Sequence, residues 1–362
     1  MGRSIRDGGY HWLVTPISVA LVGYGVGGSI FHAPFIRAVP RLRLAMVVTS
    51  RREKVEALAG PAGAPRAVAR VEEALADPAI KLVVVATPTD THFEVVRRAL
   101  LAGKHVVVDK PFVLNVPEAE ELIALARHNG CLLSVYQNRR WDGDFQTVKR
   151  AIREGSLGTV YHYEAHYDRF RLKVRDVWRE QAGKGSGILY DLGAHLIDQA
   201  LVLFGLPGAV TGDVFLQRPD ARTIDYFHLV LDYGRMRAVL HSAMVVPGRG
   251  PHFSVHGDGG SFLKYGMDPQ EAALGAGRTP CGDDWGADDP LNYGTLIPAA
   301  GDSRRVETLR GDYRRYYEAM ADAIEKGAPV PVDPADSRNG LKVIEAALES
   351  ARGRRTVNIV SE

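Results

Sequence analysis

The stretch from residue 17 to residue 28 reads ISVALVGYGVGG, an apolar run, Ile17–Val22, followed directly by glycine-rich sequence. Gly23, Gly25 and Gly28 fit the spacing G-x-G-x-x-G, and the residues after them favour a helix that extends toward Ala38. A strand, a tight glycine turn and a helix in this order are typical of a dinucleotide-binding unit, whose helix start receives a pyrophosphate on backbone N–H groups. The sequence therefore predicts a cofactor against Gly23, Gly25, Val26, Gly27 and Gly28.

Apolar runs alternate with helical stretches from this motif to residue 136. The runs of strand length are Ile17–Val22, Leu42–Thr49, Ile80–Ala86, His105–Asp109 and Cys131–Tyr136. Such alternation is the pattern of consecutive βαβ units, which build a parallel sheet covered by helices on both faces. We predict an α/β fold in which residues 16–136 form a dinucleotide-binding Rossmann domain with a doubly wound parallel sheet.

The pattern changes after residue 136. Residues 137–362 contain longer alternating runs at Val160–Phe170, Ala209–Leu216, Ile224–Leu231, Arg237–Val245 and Phe253–His256. Period-two alternation predicts strands of an antiparallel sheet with one buried face, and helices are predicted near residues 145–154, 190–204 and 334–353. We therefore expect a second, α+β domain with an open, mostly antiparallel sheet. Residues 266–302 are rich in Gly, Pro and Asp and are predicted to form a long irregular excursion.

Charge, cysteine count and the length of the apolar runs indicate which kinds of partner and which compartment to expect. Lys and Arg number 45 against 43 Asp and Glu, a net charge of +2, so no strong charge favours nucleic acid or an anionic membrane. The two cysteines, Cys131 and Cys281, predict neither a disulfide framework nor a zinc ribbon and are typical of the reducing cytoplasm. The first fifteen residues lack the apolar segment of a signal peptide, and no apolar run is long enough to span a membrane. We expect a cytoplasmic protein that binds a small molecule.

The end of the second predicted strand indicates which dinucleotide is bound. NAD is usually selected there by a carboxylate that accepts hydrogen bonds from the ribose hydroxyls. This chain has Thr49, Ser50 and Arg51 instead. Hydroxyl and guanidinium groups are suited to the 2′-phosphate of NADP, which a guanidinium binds through paired hydrogen bonds. We predict NADP, with NAD less favoured; a solvated basic helix start is the alternative interpretation.

Two further segments follow the ends of strands at the same edge of the predicted sheet. Thr87, Pro88, Thr89 and His92 follow the strand Ile80–Ala86, and we expect them to line the nicotinamide half of the groove, although a capped turn would also explain them.

Lys110 follows the strand His105–Asp109, and Pro111 disfavours a helical conformation at the lysine. Its ammonium is therefore expected to project over the crevice.

The second domain supplies a pair of ionisable residues on one helix face. Asp191 and His195 are four residues apart in an otherwise apolar helical stretch, so they need polar partners or a cleft. An alternative cluster is His162, Glu164 and His166, whose spacing of two places all three on one face of a strand. Metal ligation there is the less favoured interpretation because the sequence offers no further ligand cluster. No metal site is predicted.

Together these motifs resemble the glucose–fructose oxidoreductase, inositol dehydrogenase and MocA (Gfo/Idh/MocA) family of NAD(P)-dependent oxidoreductases. The resemblance implies that Lys110 is the lysine of the family's E-K-P motif and that Asp191 and His195 match its D-x-x-x-H motif. Asp109 stands where the family usually has Glu. The segment Tyr136–Asp142 resembles the family's substrate-pocket segment. The resemblance thus implies three catalytic residues, Lys110, Asp191 and His195, and three substrate contacts, Asn138, Arg139 and Trp178.

Within the family the chain is most similar to bacterial NADP-dependent scyllo-inositol 2-dehydrogenases, notably at Gly28–Pro34, Thr223–His228 and Trp285–Asp288. The resemblance implies hydride transfer between the cofactor and a secondary alcohol of a cyclic polyol, with scyllo-inositol and its 2-keto form as the first expectation. An aldose or other sugar dehydrogenase is one alternative, and a non-catalytic NAD(P)-binding sensor is another. The family resemblance also implies a homodimer or homotetramer.

Overall fold

Six strands of the described chain form the first sheet, and all their pairings are parallel. These strands are β1 (Ile17–Val22), β2 (Leu42–Val48), β3 (Arg66–Val68), β4 (Ile80–Val85), β5 (His105–Asp109) and β6 (Leu133–Tyr136). Their spatial order, β3-β2-β1-β4-β5-β6, places β1 and β4 side by side, where the direction of winding reverses. Every residue of β1 is buried, as expected for a strand covered on both faces. The predicted Rossmann sheet is confirmed.

The structure is a computed structural model that describes residues 15–59, 63–248 and 250–360. Most of the amino-terminal segment considered above therefore lies outside the described residues. Five α-helices are described between the strands of the first sheet: α1 (Ala33–Ala38), α2 (Arg52–Glu56), α3 (Val71–Ala76), α4 (His92–Leu101) and α5 (Val116–His128). A π-helical turn, Gly27–His32, joins the glycine motif to α1, so the predicted helix begins with a wider turn. Among the described residues, no helix is both long enough and apolar enough to cross a bilayer.

The described part of the second sheet has nine strands. They are β7 (Val160–His166), β8 (Ala209–Phe215), β9 (Tyr226–Tyr233), β10 (Met236–Ala243), β11 (Phe253–Gly257), β12 (Gly260–Lys264), β13 (Gly294–Pro298), β14 (Arg304–Val306) and β15 (Val357–Asn358). The order is β14-β13-β12-β11-β7-β10-β9-β8-β15. The pairings are antiparallel except between β7 and β10, which run parallel. The mostly antiparallel sheet is confirmed, with that one pair as an exception.

The glycine-rich segment 266–302 is more regular than we predicted. It contains α8 (Gln270–Gly275) and β13, and β13 pairs with both β12 and β14. Gly294 is the first residue of β13. A side chain does not fit there, because the ring of Phe262 on β12 occupies the space that a Cβ atom would need. That glycine therefore serves close packing inside a sheet, whereas composition alone suggested an irregular loop.

The remaining α-helices follow the first sheet in the chain. They are α6 (Gly143–Arg153), α7 (Ala194–Phe204), α9 (Arg314–Lys326) and α10 (Pro334–Gly353). Although α9 and α10 come late in the chain, they pack against α1 and α5 of the first domain. Tyr316 on α9 donates a hydrogen bond to Ser134 on β6 at 2.8 Å. The segment after residue 136 therefore returns to cover the Rossmann domain.

Candidate active site

The three motif glycines differ in how closely other atoms surround them. Gly23 has a φ of +97°, and a Cβ atom there would lie 2.6 Å from the carbonyl oxygen of Ala86. A Cβ on Gly28 would collide with the carbonyl of Gly23. Around Gly25, by contrast, no described atom lies within 4 Å of the Cβ position. The loop is therefore tightly packed at its first and third glycines and open to a ligand at the second, which fits a bound pyrophosphate.

The end of β2 lies beside this loop. The N–H of Gly23 donates to the carbonyl of Val48 at 3.0 Å, and Thr49, Ser50 and Arg51 follow. The Thr49 hydroxyl accepts from the N–H of Arg51 at 3.0 Å, while the side chains of Ser50 and Arg51 are exposed. A hydroxyl and a guanidinium are thus available at the point where the adenosine ribose binds in a Rossmann domain.

The segment after β4 lies against neighbouring loops. Thr87 is next to the glycine loop, with its methyl carbon 3.1 Å from the Cβ position of Gly23. His92 is buried: its Nδ1 lies 3.0 Å from the carbonyl of Pro111, and its Nε2 lies 2.9 Å from that of Thr87. Both ring nitrogens of His92 thus face backbone carbonyls, and the imidazole positions two loops at the sheet edge. The contact of His92 with the cofactor stays a prediction, and Thr89 is also buried.

A single cavity connects the glycine loop with the predicted catalytic residues. Val26 and Gly27 line one side of it, and Lys110, Asp191 and His195 line another. The ammonium of Lys110 donates to the Asp191 carboxylate at 2.8 Å and to its carbonyl oxygen at 2.7 Å. Lys110 comes from the loop after β5, whereas Asp191 comes from the π-helical turn Leu189–Gly193 before α7. Residues separated by 81 positions thus meet at the carboxyl edge of the parallel sheet.

Charge and burial set the ionisation of this group. Burial raises the pKa of Asp191, but the charges of Lys110 and Arg179 outweigh it and hold that pKa below its usual range. Burial lowers the pKa of His195 well below its ordinary value, and the charges of Lys110 and Arg139 lower it further. Within the described residues, His195 Nδ1 is buried and lacks a hydrogen-bond partner. At neutral pH the site therefore holds an ion pair beside a neutral imidazole.

Asp109 stands where the family resemblance leads one to expect a glutamate, and its carboxylate lies between the Lys110 backbone and His32. One oxygen accepts from the backbone N–H of Lys110 at 2.8 Å, and the other lies 3.8 Å from His32 Nε2. Burial raises the pKa of Asp109, but its interaction with the nearby His32, together with the charge of Lys110, lowers it to about 2. The carboxylate thus fixes the backbone that carries Lys110.

The predicted substrate contacts are only partly brought together. Asn138 and Arg139 line the cavity, and Arg139 is bonded to Asp142 at 3.1 Å and also to Glu271. Trp178 is 38% exposed and is not among the described residues that line the cavity. Its ring instead stacks with the guanidinium of its neighbour Arg179, 4.7 Å from the ring centroid.

Several lining residues were missed by sequence reasoning. They are Tyr167, Arg169, Arg175, Arg179 and Glu271. Arg179 lies 3.4 Å from Asp191, and Glu271 accepts from the hydroxyl of Tyr167 at 3.3 Å. The density of arginine between residues 169 and 179 was a usable signal. Glu271 gave none, because it meets Arg139 across 132 residues and lies in the segment predicted to be irregular.

These features define a class of protein: a two-domain oxidoreductase with a dinucleotide-binding Rossmann domain. The family models agree, since the NAD-binding Rossmann domain of the Gfo/Idh/MocA oxidoreductase family matches residues 17–137 and its C-terminal alpha/beta domain matches residues 149–359. The chain belongs to this family.

Individual relatives extend the likeness over nearly the whole chain. It is 45% identical to scyllo-inositol 2-dehydrogenase (NADP(+)) IolW of Bacillus subtilis, over 95% of this chain and 96% of that protein. It is also 45% identical to the uncharacterized oxidoreductase YdgJ of Escherichia coli, over 94% and 98% of the two chains. Among solved structures, the oxidoreductase yvaA of Bacillus subtilis superposes with a TM-score of 0.92 at 43% identity, covering 96% of this chain and 99% of that one.

Proposed function

We propose that the protein is an NADP-dependent dehydrogenase that interconverts a secondary alcohol of a cyclic polyol and the corresponding ketone, with scyllo-inositol as the preferred substrate. The observation that carries this proposal is the 2.8 Å contact between Lys110 and Asp191, beside the buried and neutral His195, in a cavity that begins at the glycine loop. A hydrogen-bond donor and a proton acceptor therefore face the space next to the cofactor site.

Each residue of this group has one task. NADP, when bound, supplies the hydride acceptor for oxidation and the reduced form supplies the donor for the reverse reaction. His195 takes the proton of the substrate hydroxyl during oxidation and returns it during reduction, because its neutral imidazole has a free nitrogen lone pair at neutral pH. Lys110 donates a hydrogen bond to the same oxygen and stabilises its developing negative charge. Asp191 positions the lysine through their ion pair.

The cofactor preference rests on the end of β2. Ser50 and Arg51 would bind the 2′-phosphate of NADP, whereas NAD would find no carboxylate there for its ribose hydroxyls. Gly25 would receive the pyrophosphate, because the space beside it is open among the described atoms. The name of the IolW relative, which specifies NADP, supports the same choice.

The preferred substrate rests on the relative named for scyllo-inositol, since polar side chains such as Asn138 and Arg139 suit any polyol. One observation favours a second candidate, a sugar that carries a carboxylate. Arg169, Arg175 and Arg179 join Lys110 and Arg139 in the cavity wall, where these five cations outnumber the three carboxylates, Asp109, Asp191 and Glu271. Such a lining attracts an anionic group, which guanidinium side chains bind in a bidentate manner.

A substrate panel tests the proposal. Purified protein is assayed at 340 nm with scyllo-inositol, myo-inositol, glucose and glucuronate, each with NADP and with NAD. We expect the highest kcat/KM for scyllo-inositol with NADP. A tenfold preference for glucose would favour the sugar-dehydrogenase alternative, and one for glucuronate would favour the acidic sugar. No turnover with any substrate, while NADPH still binds, would favour a sensor.

The setting of the enzyme is part of the proposal. Cys131 is buried, and Cys281 is an exposed free thiol, which suits the reducing cytoplasm. The family resemblance further supports a homodimer or homotetramer that associates through the second domain. Size-exclusion chromatography with light scattering would give the number of subunits directly.

A further inference from the structure

The outer face of the nine-stranded sheet carries a row of histidines. Asp213 on β8 pairs in register with His228 on β9, His228 with His241 on β10, and His241 with His166 on β7. Side chains at paired positions stand on the same face of a sheet. Accordingly, the rings of His166 and His241 are 5.2 Å apart, and those of His228 and His241 are 5.6 Å apart.

A carboxylate lies between two of these rings. One oxygen of Asp168 is 3.2 Å from Nδ1 of His166, and its other oxygen is 3.4 Å from Nε2 of His241. The Asp168 side chain is only 8% exposed and also accepts from the N–H of Ala243 at 3.0 Å. The carboxylate is therefore held in place independently of the histidines.

The distances match those around a metal ion. Zinc binds histidine nitrogen and carboxylate oxygen at about 2.0–2.2 Å, so two ligand atoms of one tetrahedral ion are roughly 3.3 Å apart. The contacts of Asp168 with His166 and His241 are 3.2 and 3.4 Å, one through each carboxylate oxygen, and one ligand atom from each of the three residues can be chosen so that all lie within 4.8 Å of one another. In the part of the chain that the structure describes, this is the one group that meets that criterion.

The converging group shares only His166 with the alternative cluster considered in the sequence analysis. His162, Glu164 and His166 do alternate along β7, but the group that converges contains His166, Asp168 and His241. Asp168 lies just beyond β7, and His241 comes from a strand more than seventy residues later.

We propose that His166, Asp168 and His241 bind a divalent transition-metal ion of the zinc class, with solvent completing the coordination. Two imidazoles and a carboxylate are a donor set that zinc accepts in proteins. The site is separate from the catalytic cavity. Tyr167, between two of the ligands, is buried and lines the cavity, so the ligands on either side of it point to the opposite face. The ion would hold the strand end from which Tyr167 and Arg169 reach the cavity.

The competing interpretation needs no ion. Each histidine could simply donate an N–H to the Asp168 carboxylate, which would then be a fixed hydrogen-bond acceptor. The chain offers a matched control on the same face: His162 and His256, whose rings are 5.8 Å apart. The nearby carboxylate of Glu164 lies 3.7 Å from His162, and among the described residues it forms no ion pair with His256. Two histidines without a shared carboxylate should bind a metal much more weakly.

Untagged, chelator-treated protein tests the proposal. We expect one equivalent of Zn²⁺ to bind with a Kd below about 10 µM in calorimetry, and Co²⁺ to give a visible d–d absorption band. His241→Gln and Asp168→Asn should weaken binding at least tenfold, whereas His256→Gln should not. Melting temperatures in chelator verify that each variant folds. His166→Gln, at a residue with a 31% exposed side chain, is the substitute variant if another fails to fold.

The outcomes separate the two interpretations. Loss of binding in His241→Gln or His166→Gln with retention in His256→Gln supports the metal site. Absence of saturable binding below 100 µM, or equal binding by all the variants, overturns it. Anomalous scattering at the zinc edge from crystals grown with one equivalent of Zn²⁺ gives an independent check. A peak elsewhere on the molecule would likewise overturn the assignment. None of these readouts depends on the identity of the enzyme's substrate.

Discussion

Replacement of Lys110 by methionine is the sharpest test of the catalytic assignment. Methionine keeps a side chain of similar length but removes the ammonium that donates to Asp191 at 2.8 Å. The lysine side chain is 11% exposed, so bulk water does not readily take its place. Arg179 remains 3.4 Å from Asp191, so the aspartate keeps a cationic partner in the variant. The principal loss should therefore be in turnover, with a smaller loss of stability.

Two effects on activity are expected. Removal of one preorganised donor to a developing oxyanion lowers kcat by about 10²–10³-fold, which corresponds to roughly 2.7–4 kcal/mol. Lys110 is also the charge that, after burial, most lowers the pKa of His195. Without it that pKa rises. Since oxidation needs the neutral imidazole and is lost when the ring is protonated, the acidic limb of the pH profile should move to higher pH.

The assay is steady-state oxidation of scyllo-inositol at 340 nm between pH 5 and pH 9, with NADPH binding followed by fluorescence. Binding should stay within a few-fold of wild type, because Lys110 is not proposed to contact the phosphates. Lys81→Met, at an exposed position on β4, controls for the substitution itself. A Lys110→Met enzyme with kcat within twofold of wild type and an unmoved acidic limb would refute the assignment.

Three further predictions concern the cofactor, the base and the core. Arg51→Asp should reduce the preference for NADP over NAD by about 10–150-fold, since a phosphate contact by a charged donor is worth about 1.5–3 kcal/mol; an unchanged ratio of kcat/KM values would contradict the cofactor proposal. His195→Ala should lower kcat by about 10²–10⁴-fold and abolish the acidic limb of the pH profile. In the wild-type enzyme that limb lies at low pH, because the pKa of His195 is depressed. If the variant keeps the limb, another residue is the base. Lys264→Met should lower the free energy of unfolding by about 3–5 kcal/mol, because it leaves Asp288, 2% exposed and 2.9 Å from the ammonium, buried without its partner. Urea denaturation measures this change, and a loss below 1 kcal/mol would show that solvent reaches the carboxylate.

Features that depend on neighbours within a few residues could be predicted from the sequence. The glycine motif, the buried strands of the first sheet and the position of Lys110 after β5 follow from turn chemistry and hydrophobic runs. The spacing of Asp191 and His195 likewise placed both near one cavity. In each case a local pattern sufficed because the parallel sheet gathers its strand ends at one edge.

Features that depend on distant partners could not be predicted. Composition gave no sign that Gly294 packs under Phe262, or that Glu271 reaches Arg139. His92 follows a strand end as a cofactor contact would, and its sequence position gave no sign that both ring nitrogens face backbone carbonyls. The direction of a pairing such as that of β7 with β10 is decided by the whole sheet, because a strand's own sequence is compatible with either direction.

The segment His166–Arg169 shows how one local pattern serves both faces of the second sheet. Beyond the end of β7 the chain stays bonded to its neighbour, since the N–H of Tyr167 donates to His241 and that of Arg169 to Ala243, both at 2.9 Å. Alternate side chains therefore point to opposite faces: Tyr167 and Arg169 toward the cavity, His166 and Asp168 away from it. Insertion of one residue before His166 would exchange the two sets. The cavity wall and the histidine row consequently depend on the same register, so a change that shifts it should impair substrate binding and metal binding together.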